Sequence, residues 1–559
     1  MQIELTNKRI AQALLIVGPL ASLAVSPSTN YDPINLIKLL FICSVAFFCF
    51  GLNLSTPRSS ISRLGKFFWI CVALFVLSMI STLMFSGAPL TQQIWGAFGR
   101  NTGFLTYFSL LLLLINAALI QKAEFYHKLV NSLLITAIPM TIYCLIQYAD
   151  LDPIGWSEKH PFGTLGNINF SSAFFGLTSI CALVLLFEKK ISTGLRLALG
   201  LLIVIDMFIV LSTGSIQGFM IFVAGSGLSG FLYIRSKARL RILRIPYTVI
   251  GLIGVSITVF GLSNKGPLAK FLFAPSIVFR TDYWHAGWQM TKEHLLFGVG
   301  LDSYGDWYRA SRGMLSTLRT GPERIANTAH NIFLDISSNG GIPLVTAYLA
   351  INLIAFRSAL KVLKRDTVFR PYFVAIFSVW FGYLIFSAIS INQVGVGIWG
   401  WLFTGALIGY EKSTGEISAL NSQVSRKKKS RKTSTLSPIA GLLGFSGLLI
   451  GFILSFIPFN ADAKYKTAIQ TGQLEKILES TTMLGSSAFH SDLALDTTIK
   501  NNYLDQAREV TLRLNLKYSR EFMGWKALWA LENSTPAEKA IAVRKLHELD
   551  PFNPDLPKS

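Results

Sequence analysis

Long apolar stretches recur along almost the whole chain, separated by short polar connections. They fall near residues 10–26, 35–52, 67–85, 104–121, 129–148, 168–187, 195–212, 215–234, 246–263, 341–356, 371–390, 394–410 and 437–458. Each approaches the roughly 20 apolar residues that carry a helix across a bilayer core. Lipid cannot satisfy open backbone groups, and these runs lack the alternation of a barrel strand, so they predict helices. The pattern predicts an all-α polytopic membrane protein of about 13 transmembrane helices. Two segments depart from it. Residues 264–340, between the ninth and tenth spans, are too long for a turn, and loops of that length tend to be functional. Residues 460–559 follow the last span as a polar tail.

Composition narrows the class further. Of 559 residues, 51% are hydrophobic and 14% charged, against about a quarter charged in soluble globular proteins. The 41 Phe, 17 Tyr and 11 Trp exclude a disordered chain. A net charge of +21 would suit nucleic acid only if the basic residues shared a face. They alternate with the spans instead. Connections of one parity carry 27 Lys and Arg, among them Arg58, Arg235 and the run RKKKSRK (426–432); short connections of the other parity carry Arg100 and Lys159. By the positive-inside rule the N-terminus is cytoplasmic, RKKKSRK is a topogenic cluster, and the 264–340 loop and the tail lie outside. No nucleic acid is expected as a partner; the bilayer is. Residues 1–26 read as a signal peptide or as an uncleaved first span, and the many spans that follow favour the second. All five cysteines fall in or at predicted spans, with no disulfide framework and no metal-ligand spacing, so neither metal nor cofactor is expected.

These features divide the chain into a multi-span domain (1–410), a basic linker (411–436), the last span (437–459) and an outer helical domain (460–559). The tail has 13 basic and 13 acidic residues and helical periodicity, with Ala527, Ala530 and Ala540 and with Pro551 after a helix end. It resembles tetratricopeptide-type helix pairs, with a generic helical cap as the alternative.

Chemistry-capable side chains gather in the long loop: Arg280, Asp282, His285, Glu293, His294, Asp302, Asp306, Arg309, Arg312, Arg319, Glu323, Arg324 and His330, with Arg100 and His160 in shorter outer connections. Arginines on an outer face oppose the topogenic trend. Guanidinium groups bind diphosphate bidentately and stay charged at any relevant pH. FRTDYWHAGWQM (279–290) sets Arg280, Trp284 and Trp288 on nearby helix faces. That suits a segment along the membrane surface, whether Arg280 binds a ligand or simply snorkels. LLFGVGLDSYGDW (295–307) reads as a glycine-rich turn and re-entry. In TAHNIFLDISSNGGIPL (328–344), His330 and Asn331 open an apolar helix that Gly340, Gly341 and Pro343 break at the membrane boundary. His330 is either a satisfied structural histidine or a base for an acceptor hydroxyl. Gly225, Gly227 and Gly230 spell G-x-G-x-x-G inside an apolar span; without a preceding strand they mark helix packing rather than a dinucleotide site.

Together these pieces resemble the O-antigen ligase and polymerase superfamily of bacterial envelope enzymes. They are R-x-x-x-W at Arg280 and Trp284, F-G-V-G at 297–300, H-N-x-x-L at His330, Asn331 and Leu334, GRNTGFLTY (99–107) and FGTLGNINFSSAFFG (162–176). The resemblance spans roughly residues 10–410 and implies transfer of a glycan from an undecaprenyl-diphosphate carrier to an acceptor on the outer face of the plasma membrane. It implies that Arg280 and Arg100 grip the diphosphate, that His330 activates the acceptor, and that Trp284 and Asn331 support the site. Arg312 is a candidate further diphosphate contact, with a structural arginine as the alternative. The acceptor is a glycolipid, a glycan or a protein hydroxyl, for a ligase, a polymerase or an oligosaccharyltransferase respectively. Relatives often have proline two residues before F-G-x-G, where this chain has Leu295. A transporter of lipid-linked glycans is the alternative of another class; it would place charges within spans, where Lys38 and Asp206 are the main ones here. A scaffold that recruits partners through its tail is the third.

Overall fold

The computed structural model describes residues 2–56, 61–120, 122–156, 158, 160–273, 275–420 and 437–557, and the regular elements among them are helical, without strands. Arg58, Lys159 and the RKKKSRK run lie outside the described residues. In chain order come α1 (Gln2–Leu23), α2 (Asn35–Leu54), α3 (Lys66–Phe85), the short α4 (Leu90–Trp95), α5 (Phe104–Leu119), α6 (Ala123–Tyr148) and α7 (Ile168–Leu185). There follow α8 (Thr193–Ser212), α9 (Gln217–Ser236), α10 (Arg244–Leu262), α11 (Ala269–Leu272), α12 (Pro275–Glu293), α13 (Tyr304–Ser311) and α14 (Met314–Thr320). The chain continues through α15 (Ile332–Arg365), α16 (Pro371–Ile389), α17 (Val394–Leu420) and α18 (Pro438–Thr471). It ends with α19 (Leu474–Thr482), α20 (Ala488–Lys500), α21 (Leu504–Lys517), α22 (Phe522–Ala530) and α23 (Pro536–Leu549).

Ten helices among the described residues are long and apolar enough to cross a membrane. The protein is an integral membrane protein. Its core is built from rings and branched chains such as Phe75, Tyr383, Trp399 and Phe403, all enclosed. On the perimeter, α10 exposes apolar side chains along nearly its whole length, Ile245, Leu252 and Val255 among them, the surface lipid requires. Glycines set the closest helix approaches. A Cβ on Gly447 of α18 would stand 2.2 Å from the Phe47 carbonyl oxygen of α2, and one on Gly225 of α9 would stand 2.2 Å from Ile180 of α7. Close packing thus accounts for Gly225 in the G-x-G-x-x-G string.

The two intramembrane charges are satisfied within the bundle. Lys38 Nζ donates to the Ser22 and Ala24 carbonyls, each at 3.0 Å, at the end of α1. The Asp206 carboxylate accepts from Thr141 and Thr178, each at 2.8 Å.

The predicted spans 10–26, 104–121 and 394–410 fall on α1, α5 and α17, which are not among those ten helices. Two of the ten extend well beyond their predicted spans. α15, the tenth predicted span, begins at Ile332 rather than near 341 and runs to Arg365, with Gly341 at φ 76° as a break inside it. The last continues from Pro438 to Thr471 as one helix, with Pro458 inside it, and so runs past the apolar stretch into the tail. In the tail each helix packs on the next, around enclosed residues such as Leu495, Leu514, Leu528 and Leu546. Capping boxes start α20 (Ser487 with His490) and α23 (Thr535 with Glu538).

The tail folds back onto the end of the bundle that bears the long loop. Asp462 of α18 accepts the Tyr31 and Asp32 backbone N–H groups at 2.7 and 3.1 Å and meets His490 Nε2 at 3.0 Å. Lys466 donates to the Pro27 and Asn30 carbonyls.

Candidate functional site

The site is built around the start of α15. Asn331 is its N-cap: the side-chain oxygen accepts the Leu334 N–H at 3.1 Å, while Asp335 Oδ1 accepts the Ala329 N–H at 2.7 Å. The first bond satisfies an orphan donor of the helix start, the second ties the preceding loop to the helix, and between them lies His330, at φ 51°. That left-handed conformation costs a non-glycine residue about 1–2 kcal/mol and persists only where neighbours impose it. The imidazole is steered from its Nδ1 side, 3.0 Å from Thr328 Oγ1, and the Tyr283 ring lies 5.1 Å away. Nε2 has no hydrogen-bond partner among the described residues. Burial, then the charges of Arg280 and Arg100, hold the His330 pKa down at about 4, with Thr328 opposing. The three residues named from the sequence are therefore close enough to act on one another's charge.

Arg100 lies in the tight turn between α4 and α5, which Asp302 organises. Its Oδ2 accepts the Ala97 and Thr102 N–H groups at 2.8 and 3.0 Å, and its Oδ1 stands 3.4 Å from Arg100 Nε. Asp302 reaches this point because the strip before it docks into the break of α15. Val299 and Gly300 donate to the Ser338 and Asn339 carbonyls at 2.8 and 3.1 Å, and Ile342 donates to Leu295 at 2.8 Å. Gly298, at φ 62°, touches that backbone so closely that a Cβ would sit 2.3 Å from the Asn339 carbonyl carbon. F-G-V-G and the Gly340–Gly341 pair thus form one joint, and through Asp302 that joint positions Arg100.

Arg280 projects from α12, half-buried. Burial works against its charge, with the Tyr283 hydroxyl as the offsetting neighbour, and no carboxylate pairs with it among the described residues. Trp284, one turn on, packs beneath the site on a cluster containing Ala286, Met290, Tyr304 and Ala329.

Arg312 departs from its expected role. Its side chain is fully enclosed, with Nη2 2.7 Å from both Asp550 oxygens and Nη1 3.0 Å from the Arg324 carbonyl. Nη1 and Nη2 fasten the tail to the loop and the whole side chain is enclosed, Nε without a partner among the described residues, so it does not face an open site. Arg309 shares Asp550 at 3.0 Å, Arg319 pairs with Asp282 at 3.5 Å, and Arg324 stacks on Phe279 at 4.2 Å. Glu323 meets Lys526, and His294 edges onto Trp307. His160, His285 and Glu293 are exposed and stand apart. Asp306 faces the tail and accepts from Gln92 at 2.8 Å.

Four residues near the site were given no role from the sequence: Asp302, Thr328, Tyr283 and Asn392. The left-handed turn and the N-cap pattern at T-x-H-N signal Thr328; nothing local signals Asn392. Its amide lines a small enclosed pocket with Arg100, Tyr107, Asp302 and Asp335. Also among the described residues, no group of three or more His, Cys, Asp or Glu is arranged to hold a metal ion.

Comparison with known proteins gives one match. Residues 198–349 fit the family described as O-antigen ligase, which bears out the resemblance read from the motifs. The stretch contains Arg280, Trp284, F-G-V-G, His330 and Asn331, whereas Arg100 lies before it. No curated protein matches the chain.

Proposed function

We propose that the protein is a ligase-like glycosyltransferase that moves a glycan from an undecaprenyl-diphosphate carrier to an acceptor at the outer face of the bacterial plasma membrane. The observation that carries this reading is Arg280. It is a half-buried cation without a carboxylate, next to His330 and Arg100, while Arg309, Arg312 and Arg319 of the same loop are all paired. A buried unpaired charge is unfavourable until a counter-ion arrives, and a diphosphate fits a guanidinium fork.

In this mechanism the acceptor oxygen attacks the anomeric carbon from the face opposite the diphosphate. The carbon–oxygen bond to the carrier breaks, and the anomeric configuration inverts. Arg280 and Arg100 stabilise the charge that grows on the leaving diphosphate, the role metal ions fill in other phosphate chemistry. His330 Nε2 takes the acceptor proton, with Thr328 fixing the ring from Nδ1. Its low basicity follows first from burial and then from the charges of the same two arginines. A bound diphosphate offsets their charge and raises the basicity of His330 when the reaction requires it.

The reading carries a topology with it: about 13 spans, a cytoplasmic N-terminus, and the long loop and a tetratricopeptide-like tail outside. The local satisfaction of Lys38 and Asp206 supports an enzyme over a transporter, which needs such charges on its pathway. Polymerisation of lipid-linked repeats and protein O-glycosylation share the donor chemistry and differ in the acceptor.

The test is transfer by purified protein from a lipid-linked glycan, read as release of free carrier. His330→Ala is expected to slow release by about 10²–10⁴-fold and Arg280→Ala by about 10²–10³-fold, both with unchanged folding. Full activity in both variants would refute the assignment.

A further inference from the structure

A cleft of about 270 Å³ separates the membrane bundle from the tail. Asn101 and Asp302, neighbours of Arg100, form part of its wall, so whatever fills it lies beside the proposed reaction centre. Of the five carboxyl groups that line it, Asp302 and Asp462 accept backbone N–H groups; the other three come from three elements, Asp306 of α13, Asp492 of α20 and Glu521 at the start of α22. Asp306 accepts from Gln92, and Glu521 accepts the Met523 N–H at 3.4 Å. Asp492 Oδ1 is completely enclosed and has no partner among the described residues. Burial, reinforced by mutual repulsion around Asp306 and Asp492, pushes all three above the usual carboxylate range, Asp306 to about 7.

An enclosed carboxyl oxygen without a donor is a cost that a native protein seldom carries unless something else supplies the hydrogen bond. Ring faces accompany the carboxyls. Phe98 and Phe489 stack at 4.1 Å across the bundle–tail boundary, and Tyr518 and Phe522 also line the cleft. Hydroxyl donors for the carboxyls and a C–H face for the rings are what one pyranose ring presents. An anion would add to three carboxyls. A cation would approach Arg309 and also Arg520, whose guanidinium lies 3.5 Å over Trp307 at the neighbouring wall. A neutral polyhydroxylated ligand meets neither objection.

We infer that this cleft is a sugar-binding subsite that receives a neutral glycan unit of the acceptor, with the tail supplying one of its two walls. The inference rests on the transfer reaction proposed above for its place in catalysis, and on the cleft itself for its ligand.

The test uses the full-length protein in nanodiscs. Saturation-transfer NMR is recorded with maltotriose and N,N′-diacetylchitobiose as neutral probes, a glucuronate disaccharide as the anionic probe and spermidine as the cationic one; carrier release is measured in parallel. Saturable binding of a neutral probe is expected. Phe489→Ala should weaken it roughly three- to tenfold, as loss of a ring contact does. Glu521→Gln, which preserves size, should also weaken it, and His330→Ala should leave it unchanged. No binding of either neutral probe, while wild type still releases carrier, would overturn the subsite and leave the reaction standing. Binding of spermidine or glucuronate alone would overturn the ligand class. Sugar binding with no carrier release under any condition would overturn the acceptor role.

Discussion

At the scale of single residues, the site is defined by how its charges are partnered. Arg312 and Arg280 are the same residue type in the same loop, yet one is clamped by Asp550 and the other has no carboxylate partner among the described residues. No local pattern separates them, because Asp550 lies 238 positions from Arg312. His330 was more legible: histidine before an asparagine N-cap at a helix start is a local arrangement, and Asn331 does cap that helix. Its environment sets a pH prediction. In the proposed mechanism the neutral imidazole is the active form, and its pKa is held near 4, below the ordinary value of about 6.5. The acid limb of kcat/KM should therefore fall well below pH 6. Arg280→Gln removes one of the positive charges that depress the group, so in the residual activity of that variant the limb should move to higher pH. A pH–rate profile of both proteins checks this; a limb near 6.5 in wild type, or no shift in the variant, would count against it. The same depression affects stability. Between about pH 6.5 and 4 the unfolded chain binds this proton and the folded one does not, so His330 lowers stability as pH falls through that window.

At the scale of elements, the joint between 295–302 and the broken α15 does the positioning. The break itself could be read from Gly340, Gly341 and Pro343, and the turn from the glycines of F-G-V-G. That the two engage each other could not, since backbone pairing between them depends on the fold of everything between. Gly298→Ala tests the joint. Its Cβ would meet the Asn339 carbonyl carbon at 2.3 Å, at a positive φ, so the strip must move and Asp302 with it. The expected result is a folded protein in which carrier release falls as far as in an Arg100 variant. Retained activity in Gly298→Ala would show that the joint does not position Arg100. The spans were legible for a general reason: in lipid, an apolar run of that length has no alternative to a helix. Their ends were not, because α15 and α18 extend beyond the apolar run into polar sequence that is stabilised by tertiary contacts.

At the scale of the whole molecule, the tail is a fastened part of the structure rather than a free appendage. Asp462, Lys466 and the Asp550 clamp tie it to the bundle and the loop at separate points, and α18 runs into it as one helix. The sequence showed a near-neutral helical domain but not its docking, which depends on pairs hundreds of residues apart. Arg312→Leu leaves Asp550 enclosed with Arg309 as its remaining cationic partner, and breaking a buried pair costs about 3–5 kcal/mol. Limited proteolysis should then cut between the loop and the tail in the variant and not in wild type, with the membrane bundle still intact. Equal resistance in both would show that the clamp does not hold the tail.

The central claim is that Arg280 and Arg100 form a diphosphate cradle next to a base that is not itself part of the cradle. Direct binding of undecaprenyl diphosphate to nanodisc-embedded protein tests it without requiring an acceptor. Arg280→Ala and Arg100→Ala should each weaken binding roughly 10- to 100-fold, the loss of a hydrogen bond to a charged group, while His330→Ala should bind as wild type does. Undiminished binding in both arginine variants would contradict the account.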